Sequence, residues 1–252
     1  MAESQSMKPK DFDRLYKAFE ASISRYDCGR FCAPLNNGEP VCCSVEHAVP
    51  VVQNGEWNLL RKRTDLWRKF KPTDKHAQAI VDELADDCSA IECKGARSCE
   101  RDNRTLACRS FPFFPYIDRA GKLIGLSVYW DFADRCWVIS NLDVVEREFV
   151  REFVNAYEFL FFKDPEEFDA YQEHSLAMRR VFSRWKRPIP IIGRDGGYFQ
   201  ELPYGRGITK ADPKRFRKYG PWRSPEALRR EVRELESKIP ADFDWKSAYR
   251  AR

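Results

Sequence analysis

Hydrophobic side chains recur every three or four residues along much of the 252-residue chain, a spacing that predicts amphipathic helices. The predicted helices cover residues 11–25, 56–70, 73–85, 144–162 and 165–185, and a further helix follows the cap formed by Ser224 and Pro225. Alternating apolar and aromatic residues predict paired strands at 123–131 and 136–140, and Asp195-Gly196 predicts a hairpin turn within 189–200. The pattern therefore predicts an α+β fold that is mainly helical, with a small antiparallel sheet.

The composition favours a soluble, cytoplasmic protein. Hydrophobic residues make up 43% of the chain, which is enough for a core without disulfide support. The first residues are polar and charged and predict no secretory signal. The most apolar run, residues 159–162, is far shorter than the stretch of about 20 residues that crosses a bilayer. We therefore expect no membrane contact, and a reducing compartment in which thiols stay free.

Cysteines are the main candidates for chemistry. Eight of the nine lie in two groups within loop-like sequence, namely Cys28, Cys32, Cys42 and Cys43, then Cys88, Cys93, Cys99 and Cys108. The ninth, Cys136, lies in an apolar run, so we expect it in the core. Four thiolates that converge on one point suit zinc or an iron-sulfur cluster better than an oxygen-preferring cation. The pattern thus predicts a fold organised around a cysteine-ligated metal site.

The adjacent pair Cys42-Cys43 adds a constraint. Neighbouring side chains are expected to diverge, and a disulfide between them would be strained. The pair therefore favours two metals or one extended cluster.

The order of these parts resembles a cysteine-cluster family of zinc- or iron-chelating proteins, described by a CxxCxxCC-type domain. That family has clustered cysteines ending in a Cys-Cys pair, a spacer, further cysteines and an Arg-Pro-x-x-Cys-Arg-x-Phe-Pro ending. The segment from Arg104 to Pro112 is similar to that ending, with Thr105 in place of the proline, while the first cysteines are more widely spaced than the signature. The resemblance covers residues 26–116.

The resemblance implies a set of metal ligands. Carried over position by position, these are Cys28, Cys32, Cys42, Cys43, Cys99 and Cys108. Either Cys88 or Cys93 completes the pattern, and Cys93 is preferred because it leaves a loop to Cys99. Some members of the family are attached to protein lysine methylation, which makes a cluster-dependent protein-modifying enzyme an alternative function.

The metal itself stays open between zinc and an iron-sulfur cluster. Seven thiols exceed the four ligands of one structural zinc, so two zinc ions or a cluster with spare thiols would use them better. Arg104 and Arg109 are expected either to donate hydrogen bonds to sulfur or to pair with Glu100 or Asp102 on the surface. Nearby aromatic residues are expected to screen the centre from solvent: Phe31, Phe111, Phe113, Phe114 and Tyr116.

The remaining motifs do not identify an enzyme. The sequence contains no Gly-x-Ser-x-Gly, Walker loop, His-Glu-x-x-His or dinucleotide fingerprint, which weighs against the common hydrolase, nucleotide-binding and Rossmann chemistries. His47 lies four residues after Cys43 and is an alternative ligand. No catalytic residue is predicted.

Positive charge is concentrated near the C-terminus. Residues 176–223 contain thirteen Lys or Arg and three Asp or Glu, interleaved with aromatic residues, in a chain whose net charge is +5. This region is expected to contact an acidic protein or nucleic acid, and a nucleic-acid-binding module with structural zinc is a further alternative function. We expect residues 1–252 to form a single domain, with a cysteine-cluster metal-binding region at 26–116 and a helical hairpin plus basic region at 117–252.

Overall fold

The computed structural model describes residues 7–244, apart from the side chains of residues 76 and 80. Its α-helices are α1 (Pro9–Ala18), α2 (Gly29–Cys32), α3 (Asn54–Arg63), α4 (Lys75–Asp82), α5 (Leu106–Ser110), α6 (Arg147–Lys163), α7 (Pro165–Arg184) and α8 (Pro225–Leu235). Its strands are β1 (Val51–Gln53), β2 (Trp67–Lys69), β3 (Cys88–Cys93), β4 (Phe113–Ile117), β5 (Leu123–Val128), β6 (Ile189–Gly193), β7 (Tyr198–Glu201) and β8 (Ile208–Lys210). Short 3-10 turns join many of them.

The larger sheet has five antiparallel strands in the order β4-β5-β6-β7-β8. The helical hairpin α6–α7 packs on it, with α7 against β4 and α6 against β5. The sequence predictions of both helices and of the β6–β7 hairpin are confirmed. The predicted cap of α8 is also confirmed, because Ser224 Oγ accepts a hydrogen bond from Ala227 N (3.1 Å). Gly196 supplies the positive φ of 79° that the hairpin turn requires.

A second sheet has three antiparallel strands in the order β1-β3-β2, and its central strand β3 contains Cys88 and Cys93 of the second cysteine group. The helix predicted for 56–70 is shorter, because its second half pairs with β3 as β2. The helix predicted for 11–25 ends at Ala18, because the Arg109 guanidinium donates hydrogen bonds to the carbonyls of Tyr16 and Phe19. Long-range contacts therefore shorten two helices that periodicity alone extends.

The largest fully buried side chains of the core are aromatic. Phe149, Phe153 and Tyr157 of α6 are each at most 1% exposed and stack along the helix, with ring centroids 5.8 and 4.6 Å apart. Phe19 and Phe113 pack against the same row, with centroids 5.5 and 5.8 Å from Phe149. Offset and edge contacts of this kind add to the stability gained from burial alone.

Two features of the predicted fold class are wrong. Residues 7–244 form two antiparallel sheets, of three and five strands, where one small sheet is predicted. No group of three or more His, Cys, Asp or Glu side chains in the described part of the chain has the geometry of a metal site. The fold is therefore a mixed α and β structure that is not organised around such a site.

Residues 136–140 also differ from the prediction of a strand. They form a 3-10 turn at Val138–Ser140. The side chain of Asn141 donates a hydrogen bond to Trp137 O (2.8 Å) and so holds the two ends of this turn together. Among the described helices, none is both long and apolar enough to cross a membrane.

Candidate functional site

The first cysteine group lies on two short turns. Cys28 precedes α2, Cys32 ends it, and Cys42 and Cys43 follow on a 3-10 turn, Val41–Cys43. A 3-10 turn rotates about 120° per residue, so adjacent side chains can face the same space, whereas those of a strand point apart. The sulfurs of Cys42 and Cys43 accordingly lie 3.8 Å apart, and the expectation that this pair diverges is wrong.

That separation matches two ligands of one metal ion. Two thiolates bound at about 2.3 Å to a tetrahedral zinc lie about 3.8 Å from each other. It is also well beyond the length of about 2.05 Å of a disulfide bond. Both residues are free thiols, as are the other seven cysteines.

The second group is presented by β3, a loop and α5. Cys93 ends β3, and its sulfur accepts a hydrogen bond from Gly95 N (3.4 Å). Cys108 lies in α5, whose cap Thr105 accepts a hydrogen bond from Cys108 N through Oγ1 (3.0 Å). Cys99 is exposed, and the Arg104 Nε donates to its sulfur at 3.1 Å.

Electrostatic interactions link both groups, with Cys43 in common. Burial is the main cause that raises the pKa of Cys28, Cys32, Cys93 and Cys108, and the charge of a Cys43 thiolate raises each of them further, as Cys99 does for Cys93. These interactions act over longer distances than metal–sulfur bonds. The seven cysteines named above as ligands thus share one region, the cysteine network: Cys28, Cys32, Cys42, Cys43, Cys93, Cys99 and Cys108.

Within the cysteine network the thiols differ in ionisation. Burial raises the pKa of both Cys32 and Cys108 to about 12, which keeps these thiols protonated at neutral pH. The pKa of Cys43 is lowered, first by the hydrogen bond from Cys42 and further by the positive charge of Arg104. A thiolate therefore forms most readily at Cys43, whereas ionisation of its buried neighbours requires a nearby cation.

One side of the cysteine network opens on a cavity of about 540 Å³. Cys43 and Cys93 line it together with Trp67, Lys94 and Glu39. The Glu39 Oε2 atom is buried and has no hydrogen-bond partner among the described residues. A small ligand or a metal ion can reach the two thiols from this side.

Cys88 lies outside the network. It occupies the other end of β3 from Cys93, about 17 Å away along an extended strand and on the opposite face. Its sulfur faces Asp87 Oδ1 at 3.6 Å, and burial together with Asp87 raises its pKa to about 12. The sequence left Cys88 and Cys93 as alternatives, and only Cys93 lies with the other cysteines.

Cys136 is in the core, 6% exposed, as the sequence predicts. It also lies close enough to Cys28 and Cys32 for both to raise its pKa, after the larger effect of burial. Sequence reasoning missed this proximity, because an apolar run contains no signal for what packs against it. The ring of His47 is hydrogen-bonded to Asn36 Oδ1 (2.8 Å) and to Arg135 Nη1 (2.8 Å), and His47 lines a second cavity together with Cys32.

The two arginines predicted to serve the cysteines have different roles. Arg104 donates to sulfur, as expected. Arg109 instead donates to backbone carbonyls, including those of Arg104 (3.1 Å) and Asp102 (2.8 Å), and lies over the ring of Tyr16 at 4.4 Å. It therefore ties α1 to the segment that carries Cys99 and Cys108. Among the described residues it forms neither of the alternatives expected of it, the hydrogen bond to sulfur or the ion pair with Glu100 or Asp102.

A buried carboxyl group that the sequence did not single out supports the same segment. Glu56 of α3 is 4% exposed, and its Oε1 accepts hydrogen bonds from Tyr16 OH (2.5 Å) and from Leu106 N (2.6 Å), the first residue of α5. Burial raises the pKa of Glu56 to about 7. The contact fixes the start of the helix that presents Cys108.

The predicted aromatic shell is divided by the fold. Phe31 packs beside Cys32 and stacks on Trp137, with centroids 4.3 Å apart. Phe113, Phe114 and Tyr116 belong to β4 and pack into the core beneath α6 and α7.

Comparison with protein families, curated proteins and solved structures found no match, so the family resemblance rests on the cysteine pattern alone.

Proposed function

We propose that the cysteine network binds a thiophilic metal, as zinc or as an iron-sulfur cluster. The observation that carries the proposal is the 3.8 Å separation of the Cys42 and Cys43 sulfurs within a group of seven thiols. It equals the spacing of two thiolates on one tetrahedral ion. Because sulfurs of the other five must move closer to become ligands, binding would shift the segments that carry them.

The electrostatics of the network support the proposal. Buried thiols such as Cys32 and Cys108 are disfavoured as isolated thiolates, and a divalent cation offsets that penalty directly. Arg104 supplies only one positive charge among seven thiols. The free thiols also favour a reducing compartment such as the cytoplasm.

The number of thiols is compatible with zinc and with an iron-sulfur cluster. One zinc uses four thiolates, so seven allow two zinc ions, or one cluster with additional thiols. Zinc is favoured at Cys42 and Cys43 by their spacing, and an iron-sulfur cluster by the apolar side formed by Phe31 and Trp137. The proposal shares its ligand set with the cysteine-cluster family that the sequence resembles.

Metal analysis of anaerobically purified protein tests the proposal. Colourless protein with stoichiometric zinc identifies zinc, whereas brown protein with acid-labile sulfide identifies a cluster. Cys43→Ser and Cys108→Ser should each lower the metal content, and Cys88→Ser is the matched control because that thiol lies at the far end of β3. Circular dichroism shows whether each variant remains folded.

Two results would contradict the proposal. One is wild-type protein that, after incubation with zinc or iron and sulfide, retains neither. The other is a Cys88→Ser variant that loses as much metal as Cys43→Ser while both remain folded.

A further inference from the structure

Not all of the basic C-terminal region is free to bind a partner. Of its thirteen bases, Arg179 is buried and donates to Ile117 O (2.7 Å), and Arg194 pairs with Glu158. Of its aromatic residues, Trp222 is only 1% exposed and belongs to the core. Trp185 and Tyr204, in contrast, are 46% and 64% exposed.

These two rings lie on the same part of the molecule. Tyr204 N donates a hydrogen bond to Ser183 Oγ (3.1 Å), which brings the turn after β7 to the C-terminal end of α7, where Trp185 follows. We call the surface formed by residues 184–187 and 204–206 the Trp185 face. It combines two exposed rings with cationic side chains.

The backbone holds Tyr204 outward at an energetic disadvantage. Its φ of 61° and ψ of 26° lie in the left-handed region, which bulky residues rarely adopt. Its ring makes no ring-to-ring or cation contact with the described residues. A strained, exposed aromatic residue between a proline and a glycine contributes nothing to the core and is more typical of a binding surface.

Trp185 is likewise available on one side. Its ring packs against Phe182, with centroids 5.3 Å apart, and the Arg187 guanidinium lies 5.4 Å from the ring centroid. This contact orients the indole while leaving almost half of the residue exposed. A flat base can stack on such a ring, with the guanidinium near its phosphate.

The surrounding charge is positive. Arg184, Lys186 and Arg206 are exposed, and no ion pair involves them within residues 7–244. Glu201 is 3% exposed and is already held by Arg119 Nε (3.1 Å) and Tyr116 OH (2.7 Å). Arg119 itself lies against Gly205 with its charge paired to Glu201, so the unpaired positive charge beside the rings comes from Arg184, Lys186 and Arg206.

We propose that the Trp185 face binds single-stranded nucleic acid, with bases stacked on Trp185 and Tyr204 and phosphates neutralised by the cations around them. Charge alone would suit an acidic protein as well. Exposed ring faces among cations favour a strand whose bases are unpaired, because a duplex hides its base faces. The inference does not depend on the cysteine network.

Fluorescence anisotropy with labelled oligothymidylate of about ten nucleotides tests the inference on the full chain. Binding should weaken steeply as salt rises from about 50 to about 200 mM, and a duplex of equal length should bind less tightly. Trp185→Ala and Tyr204→Ala should each weaken binding about tenfold, the effect of losing one stacked base. Trp185→Phe should retain most of it.

Matched controls separate stacking from charge and from misfolding. Phe162→Ala removes a ring that is 82% exposed elsewhere, and it should bind like wild type. Arg184→Gln with Lys186→Gln should weaken binding, whereas Arg61→Gln with Lys62→Gln on α3 should not.

Three outcomes would overturn the inference. The first is no binding to the oligonucleotide at the lowest salt. The second is wild-type affinity in both folded ring-to-alanine variants. The third is equal competition by polyglutamate of matched charge, which would assign the face to an acidic protein.

Discussion

Glu56 offers the sharpest test of the buried contacts beneath the cysteine network. In the native state its pKa is raised to about 7 by burial, against an ordinary value of 4.5. The native protein therefore binds this proton more tightly than the unfolded chain does. As pH rises from about 4.5 to about 7, the free energy of unfolding should therefore fall. The difference between the native and the ordinary pKa of Glu56 corresponds to about 3 kcal/mol.

The substitution Glu56→Gln removes this titration while keeping the side-chain shape. An amide oxygen still accepts hydrogen bonds from Tyr16 OH and Leu106 N, which the carboxyl oxygen receives in the native protein. We expect the variant to gain in stability relative to wild type as pH rises, by about 2.5 kcal/mol between about pH 5 and pH 8.

Urea unfolding across this pH range measures the effect, and the difference between variant and wild type isolates Glu56 from other titrating groups. Glu83→Gln is the control, because it removes one carboxylate from an exposed position on the surface. Parallel stability curves for Glu56→Gln and wild type would refute the argument that burial dominates this carboxyl group.

Two further predictions concern the segment that carries Cys99 and Cys108. Arg104→Gln removes a charged donor 3.1 Å from the Cys99 sulfur and should weaken metal binding about tenfold in chelator competition, while the exposed Arg97→Gln should not. Unchanged affinity in Arg104→Gln would contradict the role of its charge. Thr105→Ala removes the cap of α5 and should lower the free energy of unfolding by about 1 kcal/mol, whereas Thr105→Ser, which keeps the hydroxyl, should lose less. Equal losses in both variants would attribute the effect to packing of the methyl group instead.

The local elements of this protein are largely encoded in its sequence. The helices α6 and α7 follow from their apolar spacing, and α8 from its cap at Ser224. The clustering of cysteines is also visible in the chain, because each group occupies a short segment. Periodicity and capping act within a few residues, so they can be detected without knowledge of the fold.

Contacts between distant segments were decided only by the tertiary structure. Cys88 and Cys93 are equivalent by spacing, yet pairing of β3 between β1 and β2 sends them to opposite ends of one strand. The two strands beside β3 were not predicted, because three-residue strands have too few positions to show alternation. The sequence also does not distinguish Trp222 from Trp185, although Trp222 is buried in the core and Trp185 is exposed to solvent. Which side chains meet depends on strand register and helix packing, and these are set by burial summed over the whole core rather than by any local pattern.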